Sequence, residues 1–307
     1  IIRLTTTGTL DTTFDTDGLV SLSPNHYEPY GLAIQSNGRI VVAGTTSIFA
    51  GGDISTARLL SSGVLDPTFD TDGIAVTSVY AGDSEARSLA IQTDGKLVVG
   101  GGPGANGSET EAALVRYNSN GSLDTTFDGD GIKLANLNIG SGNKYFNDLA
   151  AQPDGKILAI GNTTYSISSL LVVESFTILR LNADGSSDTS FDGNGIVRSQ
   201  WCEHGSDLSL QTDGKIVAIG LQERVSDPSE SGVCTQRFNG DGSVDTSLNF
   251  APADGMMKQT VFSSQEFTLV EAIAAQLNGK IYVAGWGSIP TQANSTAKLI
   301  RLNADGT

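Results

Sequence analysis

The stretch Gln92-Thr-Asp-Gly-Lys-Leu-Val-Val-Gly100 limits what this chain can fold into more than any other feature. It returns as Gln35-Ser-Asn-Gly-Arg-Ile, Gln152-Pro-Asp-Gly-Lys-Ile, Gln211-Thr-Asp-Gly-Lys-Ile and Gln276-Leu-Asn-Gly-Lys-Ile. The period is about 60 residues, and so regular a spacing means one supersecondary unit used over and over. Each copy centres on Asn-Gly or Asp-Gly, which supplies the positive φ that a tight hairpin turn demands.

A second motif follows each hairpin. Arg3 precedes Leu10-Asp-Thr-Thr-Phe-Asp15, Arg58 precedes Leu65-Asp-Pro-Thr-Phe-Asp70, and Arg116 precedes Leu123-Asp-Thr-Thr-Phe-Asp128. Arg180 precedes Asp188-Thr-Ser-Phe-Asp192, and Arg237 precedes Val244-Asp-Thr-Ser-Leu248. Each unit therefore holds four strands, called a (31–35), b (39–44), c (56–60) and d (73–78) in the first full unit. Strands b and c are crowded with Val, Ile, Leu and Ala, so both faces are expected to be buried. Four-stranded antiparallel units of this length, without a helical period, define an all-β chain and point to a β-propeller. A right-handed β-solenoid is the weaker alternative, because its coils are usually shorter than about 60 residues.

The repeats run from end to end, so residues 1–307 are expected to form a single domain of five repeats. The units are 31–78, 88–134, 148–199, 207–261, and 272–307 completed by 1–22. The ends repeat one role: Lys298-Leu-Ile-Arg-Leu matches Ile1-Ile-Arg-Leu, giving six c strands against five each of a, b and d. Two readings follow, a five-bladed ring with a spare strand or a piece of a longer ring or array.

The fixed positions, L-A-I-Q-x-D-G-K-[IL]-V followed by R-[LYF]-N-x-[DN]-G-S-[LV]-D-x-[TS]-F, resemble the delta-60 repeat β-propeller family of bacterial, largely surface or secreted proteins. The strand order is also similar to that of NHL-type propellers. This resemblance implies that strand a lies nearest the axis and d on the rim, and that the protein is extracellular or at the cell surface. It implies no reaction.

Charge narrows the partners. Thirty-four acidic residues against eighteen basic ones leave a net charge of −16, which repels nucleic acid and anionic membranes alike. Cations, glycans and proteins remain, with copies of the chain itself among the last. No apolar run approaches the ~18 residues of a membrane span, so no membrane insertion is expected. Starting at Ile1 without Met or a signal peptide, the chain reads as a mature or excised fragment. Cys202 and Cys234 allow one bridge if the fold brings them close.

Oxygen-rich turns raise the question of calcium, the one cofactor the sequence admits. Asp15 and Asp17, Asp70 and Asp72, Asp128 and Asp130, and Asp192 and Asn194 would make a weak Ca2+ site if they converged with the preceding Asn-x-Asp-Gly loop. A turn held by Asn, Asp and Gly is the simpler reading. The Arg of strand c and the Asp after it recur together and are expected to be structural ion pairs. Phe14, Phe69, Phe127 and Phe191 are expected to wedge between adjacent repeats.

Function is sought where the repeats differ. The a–b and c–d turns share one end of each unit, and the b–c and d–a connections share the other. The b–c segments Thr45–Ser55, Gly101–Glu111, Asn162–Ser175, Leu221–Gly232 and Trp286–Thr296 differ in every unit, as binding loops on a rigid scaffold do. That end should also hold the aromatics Tyr27, Tyr30, Tyr80, Tyr145, Tyr165, Trp201 and Trp286, suited to stacking on sugars or anchoring a protein, with His204 beside them. An acid stands near the axis end of each a strand: Glu28, Glu85, Asp148, Asp207 and Glu271. The expected function is a non-catalytic structural or adhesive module binding a glycan or protein through this variable end. The alternatives are a glycoside hydrolase or lyase using axial carboxylates, and a pure scaffold of a surface fibre or array.

Overall fold

The repeated turns form as their sequence requires. Gly38, Gly95, Gly155, Gly214 and Gly279 all have φ of 81° to 86°. The residue before each glycine locks the turn from its side chain. Asn37 Oδ1 accepts the Arg39 N–H at 3.0 Å, and Asp94 Oδ1 accepts the Lys96 N–H at 3.1 Å. Asn and Asp do this equally well, which is why both occur there.

The computed structural model describes residues 1–22, 28–46, 52–104, 111–135, 137, 145–168, 171–199, 202–222, 232–247, 256–259, 267–288 and 295–303. The regular elements among them are all strands. They are β1 (Glu28–Ile34), β2 (Ile40–Thr45), β3 (Ile54–Leu59), β4 (Ile74–Thr77), β5 (Ser84–Ile91), β6 (Leu97–Pro103), β7 (Ala112–Tyr117) and β8 (Ile132–Ala135). Then come β9 (Tyr145–Ala151), β10 (Ile157–Ser168), β11 (Leu171–Leu181), β12 (Ile196–Arg198), β13 (Glu203–Leu210), β14 (Ile216–Gln222), β15 (Gly232–Phe238), β16 (Met256–Gln259), β17 (Phe267–Ala275), β18 (Ile281–Ser288) and β19 (Ser295–Leu302). They pair in sequence order as antiparallel sheets β1–β4, β5–β8, β9–β12 and β13–β16, with β17–β18–β19 as a three-stranded sheet. The expected a, b, c and d strands of the first unit are β1 to β4.

Ile1–Asn136 and Ala151–Gly155 form one compact unit, and Leu137–Ala150 with Lys156–Thr307 a second. In the first, strand b alternates between two cores. Val41 and Ala43 pack with Phe69 onto Ala86, Leu97, Val99 and Tyr117 of the next sheet, whereas Ile40 and Val42 pack onto Phe14 and Val20. Both faces are buried, as the Val/Ala-rich pattern predicts.

Residues 1–22 act as the outer half of a repeat. Ile2 bridges to Leu19, and the Asp15 N–H donates to Ser62 O as the Asp70 N–H donates to Asn120 O. Ile2 and Leu4 on this segment, and Leu32 and Ile34 on β1, stay more than half exposed.

The second unit repeats the design. Leu158, Ile160, Phe176 and Phe191 meet Cys202, Leu208, Ile216 and Cys234, and Val217 and Ile219 meet Ile273, Ile281 and Val283. The wedge role expected of phenylalanine is seen directly in both units. Phe14, Phe69, Phe127 and Phe191 are fully buried. A Cβ on Gly121 would lie 3.1 Å from Phe69, and one on Gly242 would lie 2.9 Å from Phe191, so the c–d turn of one repeat closes over the ring of the one before. One b–c segment differs from expectation. Asn162–Ser175 carries the β10–β11 pairing onward as far as Ser168 opposite Leu171, instead of forming a loop directly after the core.

Candidate functional site

At the a–b turn end, the polar groups of the repeat motif are occupied by one another. Arg58 Nε donates to Asp66 Oδ2 at 2.9 Å, Nη2 to Thr68 Oγ1 at 3.0 Å, and Nη1 to the Ser119 carbonyl of the next repeat. Its guanidinium carbon stands 4.8 Å over the Phe69 ring. Arg116 with Asp124, Thr126 and Phe127, and Arg180 with Asp188, Ser190 and Phe191, repeat the set. A second cation from strand b completes each one: Arg39 Nε lies 2.7 Å from Asp66, and Lys96, Lys156 and Lys215 lie 3.0, 2.9 and 2.8 Å from Asp124, Asp188 and Asp245. Burial pulls these carboxyls upward, but hydrogen bonds from Thr or Ser and the paired cations outweigh it. Asp66, Asp124, Asp188 and Asp245 therefore sit below the ordinary aspartate value.

One member of each proposed calcium pair serves the backbone. Asp17, Asp72, Asp130 and Asn194 each accept, through Oδ1, the N–H two residues on, at 2.8 to 2.9 Å. Asn194 does so without a charge, so the position calls for an acceptor and not for an anion. Asp15, Asp70, Asp128 and Asp192 hold φ of 45° to 50°, and Asp128 pairs with Lys133 at 2.9 Å. Among the described residues no three His, Cys, Asp or Glu side chains gather as they would around a metal.

The opposite end is where the inner strands β1, β5, β13 and β17 each carry a β-bulge. The pairing skips Tyr30 in β1, Arg87 in β5, residues 204–206 in β13 and Glu271 in β17. Strand-b glycines make room for it. A Cβ on Gly101 would lie 1.8 Å from Glu85 O, on Gly161 2.0 Å from Tyr145 O, and on Gly220 2.5 Å from Glu203 O. A bulge re-aims the side chain it carries. Here the residue two before the repeat Leu or Ile is Tyr30, Arg87, Asn147, Ser206 and Glu271, a different chemistry in each repeat. Arg87, Asn147 and Ser206 are absent from the candidates drawn from sequence. Their signal was this variable column next to an invariant one.

Several expected residues meet these bulges. Tyr30 donates to Glu28 Oε2 at 2.5 Å, and Arg87 Nη2 donates to Glu85 Oε2 at 3.0 Å. The Glu28 hydrogen bond, burial and the Glu28 and Glu85 charges push the Tyr30 phenol up to about 12. In the second unit Trp286 Nε1 donates to Glu271 Oε1 at 3.1 Å, Asn147 Nδ2 donates to Gly205 O at 2.6 Å, and His204 Nδ1 lies 3.4 Å from Asn162 Nδ2. Tyr80 donates to the Glu111 carbonyl. Tyr145 begins β9 and Tyr165 lies in β10, though the Tyr165 side chain is outside the described residues, as are Tyr27 and Trp201.

The five acids do not share one level. Glu28 and Glu85 stand four residues before the repeat Leu, Glu271 two before it, and Asp148 and Asp207 one before it. Asp148 and Asp207 form a tie between inner strands. Asp207 Oδ2 accepts the Ile273 N–H at 2.6 Å and Oδ1 the Leu208 N–H at 2.8 Å, while Asp148 Oδ2 reaches the same Leu208 N–H at 3.2 Å. Burial and the adjacent Asp148 carboxyl hold Asp207 far above the usual carboxylate range, to about 9. Cys202, just before β13, and Cys234, in β15, are bridged in the buried core, with Cα atoms 5.7 Å apart.

Repeated antiparallel sheets, packed on their neighbours through strand b within each unit, make this a β-propeller repeat protein. The chain belongs to the family described as Domain of unknown function (DUF5122) beta-propeller, whose repeat matches residues 35–69, 92–127, 152–191, 211–248 and 276–307. No curated protein matches significantly. Among solved structures, a polysaccharide lyase (ulvanlyase) with bound saccharide aligns at 12% identity over 92% of this chain and 73% of that one, with a TM-score of 0.51. An exo-1,5-alpha-L-arabinanase from a bovine ruminal metagenomic library aligns at 10% identity over 92% of this chain and 96% of that one, TM-score 0.44. The virginiamycin B lyase of Staphylococcus aureus aligns at 11% over 92% and 72%, TM-score 0.46. At such identities the likeness shows the fold alone.

Proposed function

We propose that the protein is a non-catalytic binding module, extracellular or at the cell surface, that holds a glycan or a protein at the b–c end of its sheets. The observation that carries this is the bulge column. An irregularity just before the repeat Leu or Ile recurs in four inner strands, skipping Tyr30, Arg87 and Glu271 singly and residues 204–206 in β13, so the scaffold repeats while the presented chemistry does not. The Cys202–Cys234 bridge supports an oxidising compartment.

The hydrolase or lyase reading needs two carboxylates about 5–5.5 or 6.5–9.5 Å apart with room for substrate or water. Asp148 and Asp207 instead hydrogen-bond each other and two backbone N–H groups, which leaves no gap for a sugar. The observation on the scaffold side is the exposure of the apolar side chains Ile2, Leu4, Leu32 and Ile34, which suit packing against a copy of the chain.

A glycan array and a surface-protein binding screen, run with wild type and with Tyr30→Ala, Arg87→Ala and Glu271→Ala, test the proposal. Binding that weakens at least tenfold in these variants, with melting unchanged, is the expected result. Turnover of any bound glycan, or binding indifferent to all three substitutions, would sink it. Concentration-dependent oligomers in light scattering, dispersed by Leu4→Lys, would transfer the assignment to the scaffold.

A further inference from the structure

In the first unit a cavity of about 670 Å³ opens between the repeats at 31–78 and 88–134, at the a–b turn end, away from the bulges. Its volume falls within the ~300–1,000 Å³ typical of small-ligand sites. The charged residues lining it are Arg39 and Arg58, and no Asp or Glu lines it. Asp66 lies behind and meets both guanidiniums, so one positive charge stays uncompensated. This is unusual in a chain of net charge −16.

Three departures from the repeat create it. Strand b carries Lys96, Lys156, Lys215 and Lys280 in the other repeats but Arg39 here. A lysine ends at the aspartate, whereas Arg39 meets Asp66 through Nε and its Nη groups run on without a hydrogen bond among the described residues. The a–b turn carries Asn37 here, as it carries Asn278 in the last repeat, where Asp94, Asp154 and Asp213 stand in the other three; the c–d turn carries Asn120 where Asp184 and Asp241 stand in the two repeats that follow. Both asparagines use Oδ1 for their turns, Asn37 on the Arg39 N–H and Asn120 on the Ser122 N–H, which leaves each Nδ2 as a donor at the cavity. Gln35 and Gln92 also line it, and their Oε1 atoms have no hydrogen-bond partner among the described residues.

We propose that this cavity binds an acidic saccharide, its carboxylate on the Nη fork of Arg39 and its hydroxyls on the Asn37, Asn120 and Gln35 amides. A planar guanidinium end receives a carboxylate through two parallel hydrogen bonds, which an ammonium cannot match. Neutral donors and acceptors around it suit hydroxyl groups better than a bare inorganic anion. The site lies at the other end of the sheets from the bulge column, so it stands or falls independently of the function proposed above.

The protein's own repeats supply the test variants. Arg39→Lys restores the arrangement of Lys96 on Asp124, and Asn37→Asp restores the turn of Asp94, so both are expected to fold and melt like wild type. Calorimetric titration with trigalacturonate, neutral galactotriose and sodium sulfate then reads the site. The expected result is binding of trigalacturonate by wild type, weakened at least tenfold in each variant, with no heat from galactotriose. Three outcomes overturn it: no heat at millimolar trigalacturonate, equal affinity in Arg39→Lys, or sulfate binding as tightly as the uronate. The last would leave a simple anion site.

Discussion

Asp188 illustrates how a single residue carries a repeat. It accepts from Arg180, Lys156 and Ser190, and both it and Arg180 are at least 94% buried by side chain. Replacing it by Ala strands a buried guanidinium, which costs about 3–5 kcal/mol, and a urea melt of Asp188→Ala should show a loss of that size. Asp17 is the contrast. Its Oδ1 only caps the Leu19 N–H, a task Asn194 performs in another repeat, so Asp17→Asn should leave the melting temperature unchanged. A calcium-dependent rise in melting temperature that Asp17→Asn abolishes would assign Asp17 the ligand role instead. The sequence showed that these residues recur but not what each one touches, because a carboxylate reads the same as a cap, an ion-pair partner or a metal ligand.

At the scale of the strand, the inner bulge depends on a glycine in its neighbour. Gly101 has ordinary φ, yet a Cβ there would sit 1.8 Å from the Glu85 carbonyl oxygen. Gly101→Ala must therefore flatten the bulge or push the strands apart, and is expected to cost about 3–5 kcal/mol by chemical denaturation. Gly95 is the control, with φ of 84° and nothing within 4 Å of its Cβ position. There alanine meets only the left-handed backbone penalty of about 1–2 kcal/mol. Equal losses at the two sites would mean that the close carbonyl approach does not matter. The strands and hairpins were legible in the sequence, since turn chemistry and apolar runs act locally. The bulges were not, because an extra residue shows only against its partner strand.

For the molecule as a whole, two sets of carboxyls give opposite pH slopes. Asp66, Asp124, Asp188 and Asp245 lie below their unfolded value, so their stabilisation is present above about pH 4 and is lost as acid protonates them. Asp207 is raised to about 9, so its contribution is complete below about pH 4 and declines as pH climbs through 9. Melting temperature should thus peak on the acid side of neutrality. Asp207→Asn keeps an amide donor to Asp148 and an acceptor for Ile273, and should flatten the alkaline limb alone. An unchanged alkaline limb would show that Asp207 titrates normally. The Cys202–Cys234 bridge spans a sequence separation of 32, and removing it with reductant should cost about 3–4 kcal/mol in the same melts.

By itself the sequence determined the repeat, the four strands of a full unit, their turns and which strands are buried on both faces. Those properties follow from φ preferences and side-chain alternation within a few residues, and every repeat restates them. Tertiary structure alone decided the rest: the tie of Asp148 to Asp207, the Cys202–Cys234 bridge to β15, the bulge column, and the cationic cavity at Arg39. The bulges join strands of one hairpin, and the others join groups 32 to 66 residues apart, whose meeting depends on how strands and repeats seat against one another.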